Sequence, residues 1–210
     1  RHGKTSREKV GCQQKILLPF YLLLTTWVNP SPCAMDTEAD FPVDLPAMNN
    51  VQLMRYLVFT HHEFTRNIMD EITELIRSTK TALPELPADF NTLADLWSGY
   101  HKEMRQHLTD EERILFPWIE ESTAAGKTPD EIARHYSGAI KQMLLEHQHH
   151  EDEIKEIRKI AESLSAQGSH IPVLALLSYK LRQLASDIVE HMRIETEMLF
   201  PRILNKIKPS

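Results

Sequence analysis

The strongest constraint in this sequence is a pattern that occurs twice, in residues 107–119 and 191–203. Each copy has a histidine, a glutamate four residues later, Leu-Phe-Pro eight to ten residues after the histidine, and a final isoleucine. On an α-helix, residues four apart lie one turn apart on the same face, so each histidine and glutamate can reach a common partner. Imidazole and carboxylate together are typical metal ligands. One such pair is weak evidence, but two copies within one longer repeat favour a metal site.

The composition is that of an ordinary globular protein, with 210 residues of which 41% are hydrophobic and 26% charged. The net charge of -6 gives no reason to expect a polyanionic partner. No basic patch with interleaved aromatic residues occurs. We therefore expect no nucleic-acid binding.

Cysteine and histidine usage limits the chemistry further. The two cysteines are Cys12 and Cys33, and residues 35–210 contain none. This excludes a disulfide scaffold, a thiolate metal site and a cysteine nucleophile from the main domain. Ten of the eleven histidines lie from His61 to His191. Any metal in this region would therefore be held by nitrogen and oxygen ligands.

The first 34 residues differ from the rest of the chain. Basic residues precede an apolar run over residues 16–28, and this order resembles a secretory signal, which would imply export. The run is short for a membrane span, and Pro19 interrupts it. We favour the alternative that Met35 is the natural start and that the protein is cytoplasmic. Residues 1–48 are then an N-terminal extension, and residues 49–208 form the domain.

Four amphipathic stretches predict four helices, and no stretch predicts a convincing strand. The expected helices span residues 49–78, 89 or 91 to 122, 129–165 and 172–206. Thr128, Pro129 and the acidic residues after them are typical of a helix start. Helices of this length with short connections indicate an all-α, up-down-up-down four-helix bundle.

Each predicted helix carries one histidine near its middle on the apolar stripe: His61, His107, His147 and His191. Glu111 and Glu195 lie on the same stripes. A buried polar side chain without a partner costs several kcal/mol, on the order of 2–7. We therefore predict that these six residues converge on metal inside the bundle.

These features resemble hemerythrin-like domains of the His-His-Glu cation-binding family. The similarity covers about residues 50–205 and is strongest to the hemerythrin domain of the repair-of-iron-centres (RIC) family. It depends on Thr60-His61, on the two His-x-x-x-Glu…Leu-Phe-Pro copies and on Glu146-His147. The resemblance implies two non-haem iron ions, with the four histidines as terminal ligands and both glutamates as bridges. One departure is that RIC proteins commonly carry a paired-cysteine N-terminal domain, whereas Cys12 and Cys33 lie far apart.

The resemblance favours iron handling with protection against nitrosative or oxidative stress. A protein that accepts the iron is then a candidate partner. We expect a monomer or a dimer. An O2- or NO-binding or sensing protein is the second interpretation. A diiron oxidoreductase acting on peroxide or nitric oxide is the third. It is the least supported, because no acid-base pair, nucleophile or cofactor loop is visible.

The remaining histidines bear on this choice. O2-carrying hemerythrins resemble this chain but have five histidines, so that one iron is saturated. His150, one turn from His147, is the best candidate for a fifth ligand, while His62 and His101 lie beside their stripes. We favour a supporting role for His150, with four histidines and two glutamates as ligands and both irons open. Glu151, four residues after His147, is then a candidate outer partner.

Overall fold

A computed structural model describes residues 43–83 and 85–204, and these residues are mainly helical with no strand among them. The segment that resembles a secretory signal, and most of the predicted N-terminal extension, lie before residue 43, outside the described residues. No helix within the described part is long and apolar enough to cross a membrane. The all-α fold class expected from the sequence is confirmed.

Four long helices make up the domain. Helix α1 (50–82) consists of Asn50–Tyr56, Leu57–His62 and Glu63–Ala82, and α2 (89–124) consists of Asp89–Asp110, Glu111–Leu115 and Phe116–Ala124. Helix α3 is Pro129–Gln167. Helix α4 (172–203) consists of Pro172–Ile194, Glu195–Leu199 and Phe200–Ile203. They contain nearly all of the predicted helical stretches. The predicted start of α3 is confirmed, because Thr128 and Glu131 form a reciprocal capping box.

Two apolar clusters fill the bundle, one on each side of a polar layer. The first cluster includes Ile72, Tyr100, Ile157 and Leu181, one residue from each helix. The second includes, in the same helix order, Leu57, Leu115, Ile140 and Leu199. The buried histidines and glutamates lie between the two clusters along each helix.

The order of the clusters along the chain gives the topology. Helices α1 and α3 run from the second cluster to the first, whereas α2 and α4 run from the first to the second. Each helix also packs against its neighbours in sequence, and α1 packs against α4. The arrangement is therefore an up-down-up-down bundle, as predicted.

Three π-helical turns interrupt these helices, and all three lie in the polar layer. In α2 the turn is Glu111–Leu115, and in α4 it is Glu195–Leu199. Phe-Pro follows each of these two turns directly. Proline has no N–H, so Pro117 and Pro201 cannot donate a hydrogen bond to the carbonyl four residues earlier. The π turn adds one residue to the helical turn that precedes each proline. The third turn, Leu57–His62 in α1, has no proline after it. Turns of this kind are frequent at functional sites.

Tyr136 provides a test of the packing between α2 and α3. Its hydroxyl donates to the carbonyl of Trp118 at 2.9 Å and lies 2.7 Å from the hydroxyl of Ser122, which is also buried. We expect Tyr136→Phe to lower the free energy of unfolding by about 1–3 kcal/mol, because it removes the two hydrogen bonds that the Tyr136 hydroxyl makes in a buried position. Urea unfolding measures this. Tyr179→Phe is the control, because Tyr179 is 49% exposed, and an equal loss there would contradict the assignment.

Candidate metal centre

The polar layer contains two groups of metal-binding side chains that share both glutamates. One group is His62, Glu111, His191 and Glu195; the other is His107, Glu111, His147 and Glu195. Within each group, one donor atom per residue lies within 4.8 Å of the others. All the members are buried. The sequence predicted five of these six residues for the site, and His62 is the addition.

The first group joins α1, α2 and α4. The Nε2 atoms of His62 and His191 lie 3.1 Å apart. Carboxylate oxygens of Glu111 and Glu195 lie 3.5 Å from His62 and 3.3 Å from His191, respectively. Two nitrogens each about 2.0–2.1 Å from one ion, the usual zinc–imidazole distance, would lie about 3 Å apart at neighbouring coordination positions. The spacing of the two imidazoles therefore fits a single ion.

The second group joins α2, α3 and α4. Nε2 of His107 lies 3.4 Å from Glu111, four residues on in the same helix. Nε2 of His147 lies 3.1 Å from Glu195 and 3.8 Å from Glu111. Each glutamate therefore faces histidines of both groups. This is the arrangement that two carboxylates need in order to bridge a pair of ions.

Most of the donor atoms that face inward lack hydrogen-bond partners. Both carboxylate oxygens of Glu111 and of Glu195 are buried without a partner, as are the Nε2 atoms of His107 and His147. Buried polar atoms are nearly always hydrogen-bonded, so a cluster of exceptions calls for an explanation. A metal ion provides one, because it takes neutral imidazole and charged carboxylate donors together. The residues present therefore fit a metal centre.

The structure does not bring His61 into either group. The π turn explains the difference from the sequence prediction. Inside this turn the N–H of Glu63 donates to the carbonyl of Val58, five residues earlier rather than four. The residue on the same face as the buried Leu57 is therefore His62, five residues later, and not His61. The buried stripe then continues through Thr65 and Met69, whereas Phe64 is 37% exposed.

Side chains behind the cluster hold the imidazole rings. The Nδ1 atom of His62 lies 2.8 Å from Glu112, which also pairs with Arg66 at 2.8 Å. Nδ1 of His107 lies 3.0 Å from Glu146. An acceptor at Nδ1 fixes the proton there and directs the Nε2 lone pair inward, as is usual for metal-bound histidine. Sequence analysis did not identify either glutamate as an outer partner.

His147 has a weaker outer partner, and the predicted one is engaged elsewhere. Its Nδ1 lies 3.4 Å from the hydroxyl of Thr196. Glu151, the candidate from sequence, instead pairs with Lys155 at 3.0 Å. Helix geometry explains this, since Glu151 is half-buried at the edge of the buried face and Lys155 lies one turn further along the same helix.

Aromatic rings close the two sides of the layer. Phe116 stacks against His62 at 6.0 Å, and Phe200 stacks against His147 at 5.8 Å. These are the phenylalanines of the two Leu-Phe-Pro triplets. Each covers a histidine from another helix, which excludes water and strengthens electrostatic interactions in the site.

The two carboxylates dominate the electrostatics of the layer. Burial alone would lower the pKa of His147, but the carboxylates of Glu111 and Glu195 close to its ring raise that pKa to about 10. Burial likewise opposes ionisation of Glu195, yet the charges of His191 and His147 bring its pKa well below the usual range. The site thus stabilises positive charge strongly, which is what a bound cation requires.

His150 lies next to the second group and outside it. Its ring contacts that of His107 edge-on at 5.2 Å, and its Nδ1 lies 3.4 Å from Glu153. Burial and the charge of His107 lower the pKa of His150 to about 4. This position fits the supporting role favoured from the sequence. A third group in the described residues, Glu103, His149 and Glu153, is largely exposed, and such clusters are common without an ion.

The fold and this buried layer define a helical-bundle metal-binding protein. The family model for the Hemerythrin HHE cation binding domain matches residues 53–137. This match covers α1, α2 and the start of α3, including His62, His107 and Glu111. This part of the chain is therefore similar to hemerythrin domains, as the sequence pattern predicted.

Distant relatives agree with this result. Proteins named "Iron-sulfur cluster repair protein YtfE" from Yersinia pseudotuberculosis serotype IB (strain PB1/+) and Yersinia pestis (strain Pestoides F) are each 23% identical over 171 residues. A third, from Yersinia pseudotuberculosis serotype O:1b (strain IP 31758), is 22% identical over the same length. These alignments cover 81% of this chain and 73% of each relative. The resemblance to the RIC family is confirmed at this distance.

Glu146 tests whether the outer carboxylates prepare the site for metal. We expect Glu146→Ala to weaken Zn²⁺ binding about ten- to hundredfold, because loss of the acceptor frees the ring of His107. Competition with a chromophoric chelator measures the affinity. Glu151→Ala makes the same chemical change on the same helix and should leave the affinity unaltered. Equal losses in the two variants would show that Glu146 acts only through charge or folding.

Proposed function

We propose that this chain binds a non-haem diiron centre and handles iron in protection against nitrosative and oxidative stress. The observation that carries the proposal is the sharing of Glu111 and Glu195 between two otherwise separate pairs of histidines. One ion would be held by His62 and His191, and the other by His107 and His147. Both glutamates would bridge. The distant similarity to proteins named for iron-sulfur cluster repair supports iron as the metal.

The donor set supports iron on chemical grounds as well. Mixed imidazole and carboxylate ligation suits iron, manganese or zinc, and the described bundle offers no thiolate. Two carboxylates leave a pair of divalent ions with net positive charge, which favours an additional anionic or easily reduced ligand. When bound, an iron pair supplies open coordination positions and a source of electrons for small oxidants. The protein side chains orient the imidazoles and exclude bulk water.

A surface groove supports exchange of iron with an acceptor. It has a volume of about 530 Å³ and is lined by residues of α1 and α2, including Val58, Phe59 and Phe116. Phe116 covers His62, and Glu112, also in the groove, bonds to the same histidine. Phe59 is 68% exposed. An acceptor seated in this groove would lie one side chain away from a proposed iron ligand.

Reversible binding of O2 or NO is the second candidate. It is favoured by the number of donors, since two histidines and two shared glutamates leave positions free at each ion. The two functions differ in what happens to the iron. A carrier or sensor keeps it, whereas an iron-handling protein releases it to an acceptor.

Metal content tests the shared glutamates. Protein produced with iron should contain two iron ions per chain, and Glu195→Ala should contain fewer than one, because the carboxylate belongs to both groups. Elemental analysis measures both. His170→Ala is the control, since His170 is exposed on the turn before α4, and it should keep two ions. Unchanged iron in Glu195→Ala would refute the shared-ligand assignment.

Iron release separates the two candidate functions. The reduced protein is mixed with O2 while its absorption spectrum is followed, and iron transfer to a chelator is timed in parallel. We expect rapid oxidation and prompt iron transfer, with no lasting oxygenated species. A stable O2 adduct in protein that retains its iron would instead support the carrier or sensor.

A further inference from the structure

His61 is buried beside the proposed centre but belongs to neither ligand group. It is 5% exposed, and its Nδ1 lies 2.9 Å from Oδ1 of Asp187 on α4. The other carboxylate oxygen of Asp187 accepts from the hydroxyl of Thr65 at 3.3 Å. A carboxylate at Nδ1 fixes the proton there, so Nε2 carries a lone pair and acts as an acceptor.

Two buried nitrogens in this region lack a partner, and their roles are complementary. Nε2 of His61 has no hydrogen-bond partner among the described residues. Nδ1 of His191 has none either. If His191 binds metal through Nε2, its Nδ1 carries a proton and is a donor. A buried acceptor and a buried donor are therefore both unsatisfied, in neighbouring rings 6.0 Å apart with nearly parallel planes.

The two halves of the bundle show what this position does elsewhere. His107 and His191 occupy the same place in the two sequence repeats. Nδ1 of His107 is bound by Glu146, the residue immediately before His147. In the other half, the residue immediately before His62 is His61. His61 thus occupies, relative to His191, the position that Glu146 occupies relative to His107.

The π turn makes this placement possible. In a regular α-helix, consecutive residues differ in direction by about 100°, so His61 and His62 would not both face the interior. In the widened turn both are buried, at 5% and 0% exposure. His62 contributes to the ligand group, and His61 lies behind His191.

The two nitrogens do not hydrogen-bond to each other in this structure. We propose that, when an ion is held at Nε2 of His191, His61 becomes the hydrogen-bond acceptor for the Nδ1–H of His191. Asp187, His61 and His191 then form a carboxylate–imidazole–imidazole relay behind the ion. This inference rests on the proposed metal centre. His61 is then a positioning residue, which holds the ring of His191 and increases its basicity. The second ring in this relay distinguishes His191 from His107, which has a carboxylate directly at Nδ1.

The test uses the full chain with ¹⁵N-labelled histidine and Zn²⁺ as the metal. The measurement is the ¹H–¹⁵N resonance of the His191 Nδ1–H and its exchange with water. We expect a slowly exchanging, downfield signal in the wild type. In His61→Leu this signal should move upfield or broaden through exchange, and Zn²⁺ affinity should fall about ten- to hundredfold. His61→Glu should restore both, because it reproduces the carboxylate found at position 146.

Two further variants make the result decisive. Asp187→Asn leaves the buried rings intact and should shift the His191 signal in the same direction by a smaller amount. His150→Leu removes another buried histidine near the centre and should leave that signal unchanged. A His191 signal identical in wild type and His61→Leu would overturn the relay. If Zn²⁺ altered no histidine resonance even in the wild type, the metal centre itself would be refuted, so the two failures are distinguishable.

Discussion

The structure depends on burying Glu111 and Glu195 together in the middle of an apolar bundle. Each is fully buried, and removing a carboxylate from water costs several kcal/mol unless positive charge and hydrogen bonds replace the lost solvation. Four imidazoles surround the pair, but they leave all four carboxylate oxygens without hydrogen bonds. A pair of cations shared between the two glutamates would balance this charge. The two apolar clusters lie on either side of these side chains and exclude water from them.

The site is built twice from the same parts. Helices α2 and α4 each supply a histidine, a glutamate and a covering phenylalanine, while α1 and α3 each supply one histidine to a group. The proline of each Leu-Phe-Pro triplet follows a π turn that begins at the glutamate. The repeat in the sequence therefore gives both halves the same candidate ligands and the same local helix geometry, which directs them inward. The halves differ in their outer partners, with Glu112 behind His62 but only a threonine hydroxyl behind His147.

How far the sequence predicts this site depends on whether a residue follows regular helix periodicity. The bundle, the helix limits and five members of the ligand groups follow from apolar spacing and from the repeat. The choice between His61 and His62 does not, because the π turn in α1 has no proline to indicate it. The outer partners Glu146 and Asp187 were also not identified, since they act across helices and depend on the rotation of each helix. One signal for the outer partners is present in the sequence. Glu146 directly precedes His147, as His61 directly precedes His62.

The most direct test of this account is a crystal structure of the iron-loaded protein with anomalous diffraction data collected at the iron absorption edge. The account predicts two iron peaks in the polar layer, one between His62 and His191 and one between His107 and His147, with Glu111 and Glu195 spanning both. A single peak in the layer, or iron found only at the exposed Glu103, His149 and Glu153 group, would contradict the shared diiron centre.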